Sequence, residues 1–269
     1  MGRKEGFSQG GEIMIINREQ SVIPACDVET IQQFEKIVRE TTDIDGIGGY
    51  KIGFELGLTY GLPFVVETAR KYTIKPLIYD HQKAATDIPE TGKNFARVIK
   101  KAGIDAVILF PQAGPVTQYE WIMAAQENGL GVIVGGEMTH PRYLHSDMSN
   151  GKKDYTKIFR DLGIDEGLAG YICEFAPEDM YELAGCAGVR DFVMPGNKPE
   201  RIKLYKDILE RNGFMDISIY SPGFVAQGGV ISDGAKAAGK KFHAIVGTAI
   251  YTAQDMRAAA LELTSQLCP

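Results

Sequence analysis

The feature that most constrains this chain is a regular alternation of short apolar runs with longer amphipathic stretches. The apolar runs lie at 21–26 (SVIPAC), 49–53 (GYKIG), 76–79 (PLIY), 106–110 (AVILF), 131–135 (GVIVG), 217–220 (ISIY) and 244–246 (AIV). Each is nearly free of charge and is bounded by turn-forming residues, which suits strands buried on both faces. Between them, 29–42 places Ile31, Phe34, Ile37 and Val38 close to a 3.6-residue period. Further helices are expected at 62–72, at 95–102 ending at Gly103, at 118–128 stopped by Gly129, and at 197–209. Two runs compete for the sixth strand, 170–173 (GYIC) and 191–194 (DFVM). The second is favoured, because 197–201 (NKPER) then opens a strong helix. Strands alternating with helices about every 25 to 30 residues predict a parallel sheet with helical crossovers. Eight such units in 269 residues predict an α/β chain folded as one (β/α)8 TIM barrel. A doubly wound open sheet is the alternative, but no G-x-G-x-x-G follows the first strand.

The barrel is expected over residues 13–269, preceded by a Gly-rich, charged tail at 1–12 that reads as mobile. A long connection at about 142–170, with a short helix candidate at 155–162, interrupts the rhythm and suits a lid or contact surface. The formal net charge of -6 argues against general nucleic-acid or anionic-membrane binding. No apolar run approaches the roughly 20 residues of a membrane helix. The four cysteines show no C-x-x-C spacing and the four histidines are scattered, so neither a metal site nor a disulfide framework is expected. These features read as a cytoplasmic protein with reduced thiols.

Chemistry is expected where charges follow strand ends. Asp27, Lys51, Asp80, Lys83 and Thr139 all end or follow predicted strands, which in a barrel gathers them at one rim. Each has a plainer account. Asp27 and Asp87 could cap helices, Lys51 could make a barrel-end ion pair, and Thr139 could bond nearby backbone. A buried lysine is the least ordinary of these, since it requires paired carboxylates. After the seventh strand, 221–229 (SPGFVAQGG) offers glycine backbone amides and the Gln227 amide to an anion, with Gly247 and Thr248 beside it after the eighth. Turns after strands seven and eight commonly hold phosphate in barrels.

Over about 21–261 the chain resembles the orotidine 5′-phosphate decarboxylases. The matching segments are Cys26-Asp27, Tyr50 to Gly53, Asp80 to Thr91, Glu137 to Pro141, Lys198 to Arg201, Ser221 to Gly229 and Ile245 to Tyr251, in the family's order. The resemblance implies a homodimeric (β/α)8 barrel that converts orotidine 5′-monophosphate to uridine 5′-monophosphate and carbon dioxide without a cofactor or metal. It implies that Lys51, Asp80, Lys83 and Asp87 form an alternating charged array, with Lys83 delivering a proton to C6. Asp87, Ile88 and Thr91 would cross from the neighbouring subunit. Asp27 and Lys51 would hold the ribose, Thr139 and Pro222 the pyrimidine, and Gln227 and Gly228 with Gly247 and Thr248 the phosphate.

Two departures stand out. The motif reads D-x-x-K-x-x-x-D-I-P, one residue longer in each interval, so Lys83 needs a bulge or tight turn at 81–82 to face the array. Thr248 stands where the family has a phosphate-binding arginine, which makes Arg142, Lys198 and Arg201 the candidate replacements. Two alternatives stay open: a magnesium-dependent phosphosugar synthase or decarboxylase of the same barrel superfamily, and an inert nucleotide-binding homologue.

Overall fold

A computed structural model of the chain describes residues 14–81, 86–140, 143, 176–225 and 227–267. The eight strands are β1 (Gln20–Cys26), β2 (Tyr50–Gly53), β3 (Leu77–Asp80), β4 (Ala106–Leu109), β5 (Gly131–Gly135), β6 (Asp191–Val193), β7 (Ser218–Ser221) and β8 (Phe242–Val246). They pair in parallel in sequence order, and β8 closes on β1 to form a (β/α)8 barrel. The competition for the sixth strand resolves as expected. Asp191 to Val193 pair with Ile133 to Gly135 on one side and with Ser218 to Tyr220 on the other. The rival run 170–173, the tail 1–12 and the helix candidate 155–162 lie outside the described residues.

Strand alternation divides the core into two layers. Ile23, Ile78, Ala106, Ile108, Ile133 and Ile245 fill the barrel interior, which Ile15 and Ile16 also join. Val22, Ile52, Tyr79, Val107, Leu109, Val132 and Phe192 face outward onto the helices. Both faces are therefore largely apolar, which is why the strands read as runs nearly free of charge.

The helices are α1 (Ile31–Thr41), α2 (Phe54–Tyr60), α3 (Leu62–Arg70), α4 (Thr91–Lys101), α5 (Pro115–Glu127), α6 (Pro177–Cys186), α7 (Pro199–Arg211), α8 (Ile231–Ala238), α9 (Thr248–Tyr251) and α10 (Met256–Ser265). A capping box between Thr30 and Gln33 starts α1, and its buried residues include Ile31, Phe34, Ile37 and Val38. Gly103 and Gly129, at φ +87° and +66°, follow the ends of α4 and α5 as the sequence predicts. One expectation needs correction. α4 starts at Thr91, a turn earlier than Phe95, and Asp87 does not cap it; the Asp87 carboxylate accepts from the Ile88 amide instead. Among the described residues no helix is long and apolar enough to cross a membrane.

Candidate active site

β1, β2 and β3 between them bring three charges to their carboxyl-terminal ends. Lys51 pairs across the ladder with Ala25 and Ile78, both interior residues, so its side chain shares the inner face. Asp80, two residues past Ile78, shares it too. Lys51 Nζ donates to both carboxylate oxygens of Asp27 at 3.1 Å and to Asp80 Oδ2 at 3.1 Å. Lys51 is 5% exposed and Asp80 7%, so the bridge between them is sheltered from water. Burial alone would lower the Lys51 pKa, but the Asp80 and Asp27 carboxylates outweigh it and hold the ammonium above the ordinary lysine value. The lysine is thus a buried cation between two carboxylates, one sheltered (Asp80) and one half-exposed (Asp27). That is the paired arrangement a buried lysine requires.

Glycine makes room for this triad. A Cβ at Gly53 would lie 2.2 Å from Asp27 Oδ1, so β2 can end against Asp27 only without a side chain there.

The triad opens into a cavity of about 240 Å³. Asp27, Lys51, Asp80, Thr139, Pro222, Gln227, Gly247 and Thr248 all line it. Its apolar wall comes from Ile108, Phe110, Val193 and Ile245. The 222–229 loop folds back on itself: Gly229 N donates to Gly223 O, and Val225 N to Gly229 O. Its course demands unusual backbone, with Gly223 at φ +105° and Val225 at +61°, a region a β-branched residue rarely enters. Such strain is characteristic of loops shaped around a ligand.

Other expected residues stand elsewhere. Asp87, Ile88 and Thr91 do not line the cavity, and Ile88 is 59% exposed. Thr91 Oγ1 donates to Ile88 O, and Thr117 Oγ1 and Trp121 Nε1 donate to Asp87 O and Ile88 O. The segment is therefore held firmly on the protein surface. Gly228, at φ +84°, also lies off the cavity wall. Lys83 and Arg142 fall outside the described residues.

Of the candidate phosphate cations, Lys198 and Arg201 do not line the cavity; both are engaged by Glu137, which does. Lys198 Nζ donates to Glu137 Oε1 at 2.7 Å and Arg201 Nε to Oε2 at 2.8 Å. Beside Gly247 the cavity presents the Thr248 and Tyr251 hydroxyls, 3.1 Å apart. Glu137 and Tyr251 are the site residues that sequence reasoning left without a role, although both fall within the segments that carry the resemblance. Among the described residues no group of three or more His, Cys, Asp or Glu is gathered to hold a metal ion.

Known proteins resemble this chain along most of its length. The chain is similar to the orotidine 5′-phosphate decarboxylase of Methanosarcina mazei, 30% identical over 94% of this chain and 97% of that protein. It is 28% identical to the one from Pyrococcus abyssi, over 91% and 98% of the two chains. Among solved structures, orotidine 5′-monophosphate decarboxylase from Methanocaldococcus jannaschii, complexed with the inhibitor BMP, superposes with a TM-score of 0.71. That match has 26% identity and covers 94% of this chain and all of the other. The enzyme from Pyrococcus horikoshii gives a TM-score of 0.67 at 28% identity, covering 91% and 98%. Residues 20–263 match the orotidine 5′-phosphate decarboxylase / HUMPS family along nearly the whole barrel, and the chain belongs to that family.

Proposed function

We propose that this barrel converts orotidine 5′-monophosphate to uridine 5′-monophosphate and carbon dioxide, without a cofactor. The observation that carries the reading is Lys51 clamped between Asp27 and Asp80 on the cavity wall of a chain of this family. In the reaction the bond from C6 to the carboxylate breaks, and its electron pair remains on C6. The site must stabilise that carbanion and then protonate it. A lysine ammonium does both, first as a preorganised cation and then as a general acid. Lys83 takes this role, with Asp80 against the departing carboxylate.

Asp27 and Lys51 hold the ribose hydroxyls, Thr139 and Pro222 the pyrimidine, and Gln227 with the 247–248 turn the phosphate. Contacts to the phosphate, remote from the reacting carbon, supply binding energy that can be expressed in the transition state. Asp87, Ile88 and Thr91 serve the cavity of a second copy in a homodimer. The exposure of Asp87 and Ile88, together with the hydrogen bonds that fix this segment, supports this reading. The direct test mixes purified protein with orotidine 5′-monophosphate and a chelator and follows loss of the orotate absorbance. Turnover that survives the chelator is expected; an absorbance that does not change overturns the reading.

A further inference from the structure

Glu137 lies two residues past the end of β5 at Gly135, and its side chain is completely buried. A buried carboxylate survives only with charge partners and filled lone pairs. Here Lys198 and Arg201 supply the charges, and the Tyr205 hydroxyl donates to Oε2 beside Arg201. Arg201 also lies over the Tyr205 ring, 4.7 Å from its centroid, and reaches Glu178 Oε1 at 3.6 Å. One carboxylate thus gathers three residues of α7 and its lead-in turn, 61 to 68 positions away in the chain.

The backbone around Glu137 is gathered as tightly. The Tyr181 hydroxyl accepts from the Gly136 and Glu137 amides and donates to Val193 O at 2.8 Å, which joins the exits of β5 and β6. Next to Lys198, Asn197 Nδ2 donates to Thr139 O at 3.1 Å. On its other side, Gly196 N donates to Pro222 O at 2.8 Å. The turn at 196–198 therefore bonds to two segments that line the cavity, through Thr139 O and Pro222 O. Glu137 adds the charged tie that holds its last residue, Lys198, to the exit of β5.

We propose that Glu137 is a positioning residue for the decarboxylation: acting through Lys198 and Arg201, it sets how the Thr139 and Pro222 segments meet at the base pocket. This rests on the function proposed above. Glu137→Gln keeps the volume and removes the charge that holds both cations. Misplacement of a substrate-orienting wall by about 1 Å costs on the order of 10²-fold in rate. The expected result is a kcat lower by about 10²-fold, with KM and the dissociation constant of uridine 5′-monophosphate rising only several-fold.

Lys198→Met should cause a similar loss, and the double variant should lose no more than either single one, because both break the same link. A role confined to stability would lower Tm and leave kcat and KM per folded molecule unchanged. That outcome, or losses that multiply in the double variant, overturns the proposal. Should Glu137→Gln fail to fold, Tyr205→Phe removes a single donor to the same carboxylate, and an unchanged kcat in that variant overturns it equally. If the unaltered protein binds uridine 5′-monophosphate but does not turn over orotidine 5′-monophosphate, the decarboxylase reading fails. The positioning role is then decided by whether Glu137→Gln weakens nucleotide binding.

Discussion

Lys51 and Asp80 form a sheltered ion pair, Nζ to Oδ2 at 3.1 Å, although they sit on neighbouring strands 29 positions apart. Parallel register explains it: Lys51 lies opposite Ile78, so Asp80 projects from the same interior face one side-chain repeat further along β3. Removing the cation breaks this sheltered ion pair and takes the 3.1 Å ammonium away from the buried Asp80 carboxylate. Lys51→Met should therefore cost about 3–5 kcal/mol of stability in urea unfolding, the usual cost of breaking a buried pair. Decarboxylation should fall on the order of 10³-fold, since a preorganised charge is lost from the site. Near-native activity would show that the triad merely closes the barrel end.

Lys83→Ala tests the proton donor. It should reduce kcat on the order of 10³-fold or more, since proton delivery and charge stabilisation are both lost. Affinity for uridine 5′-monophosphate, measured by calorimetry, should survive far better than turnover. Wild-type-like turnover would remove Lys83 from the mechanism.

Much of this molecule was legible because a barrel strand buried on both faces must be an uninterrupted apolar run. Lys51 and Asp80 stood out against that background, and the structure joins them. Helix α6 is marked in the sequence only by its start, Pro177, Glu178 and Asp179, and its 10 residues are too few to show a clear period. The short α2 was missed because Gly57 interrupts a segment of only 7 residues, too short to show a period. Lys198 and Arg201 were misjudged for a different reason. A sequence displays cations but not the carboxylate that claims them, and Glu137 lies 61 and 64 positions away from the two.

The proposed sharing of the site between subunits has a quantitative signature. Lys83→Ala and Asp87→Ala should each give nearly inactive homodimers. A mixed dimer carries both defects in one site and neither in the other. Random exchange at equal amounts should restore roughly a quarter of wild-type activity, by counting sites in a two-fold dimer. Exchange must be driven by mild denaturant and verified by mass. No recovery in verified mixed dimers would assign Asp87 to its own subunit.

His243 gives a pH dependence of stability. It is 2% exposed inside the barrel, hydrogen-bonded through Nδ1 to Ser21 Oγ at 2.9 Å, and stacked near Tyr220. Burial, with Arg18 and Lys241 adding repulsion, pushes its pKa down to about 3 from 6.5. Because the folded value is depressed, the unfolded chain takes up a proton that the native state refuses between those two values. Stability from this residue is whole above about pH 6.5 and declines as pH falls toward 3, by about 1.4 kcal/mol per unit. His243→Gln should therefore lose about 2 kcal/mol less than the parent on going from pH 7 to pH 5. Parallel pH profiles in urea unfolding would contradict this.

Gly53→Ala separates binding from stability. The backbone of Gly53, at φ -83°, accepts alanine without strain, so the ladder between β2 and β3 is undisturbed. The new Cβ, however, would fall 2.2 Å from Asp27 Oδ1. Asp27 is 47% exposed at its side chain and free to swing toward solvent, so it yields rather than the strand. The cost in stability should be below about 1 kcal/mol, as for other half-exposed ion pairs. Lys51 would keep Asp80 but lose Asp27, and with it the carboxylate proposed to hold the ribose. A hydrogen bond to a charged group is worth about 1.5–3 kcal/mol, so KM should rise about tenfold or more while Tm barely moves. Should KM stay at the parent value in a variant whose crystal structure shows Asp27 displaced, Asp27 does not hold the substrate.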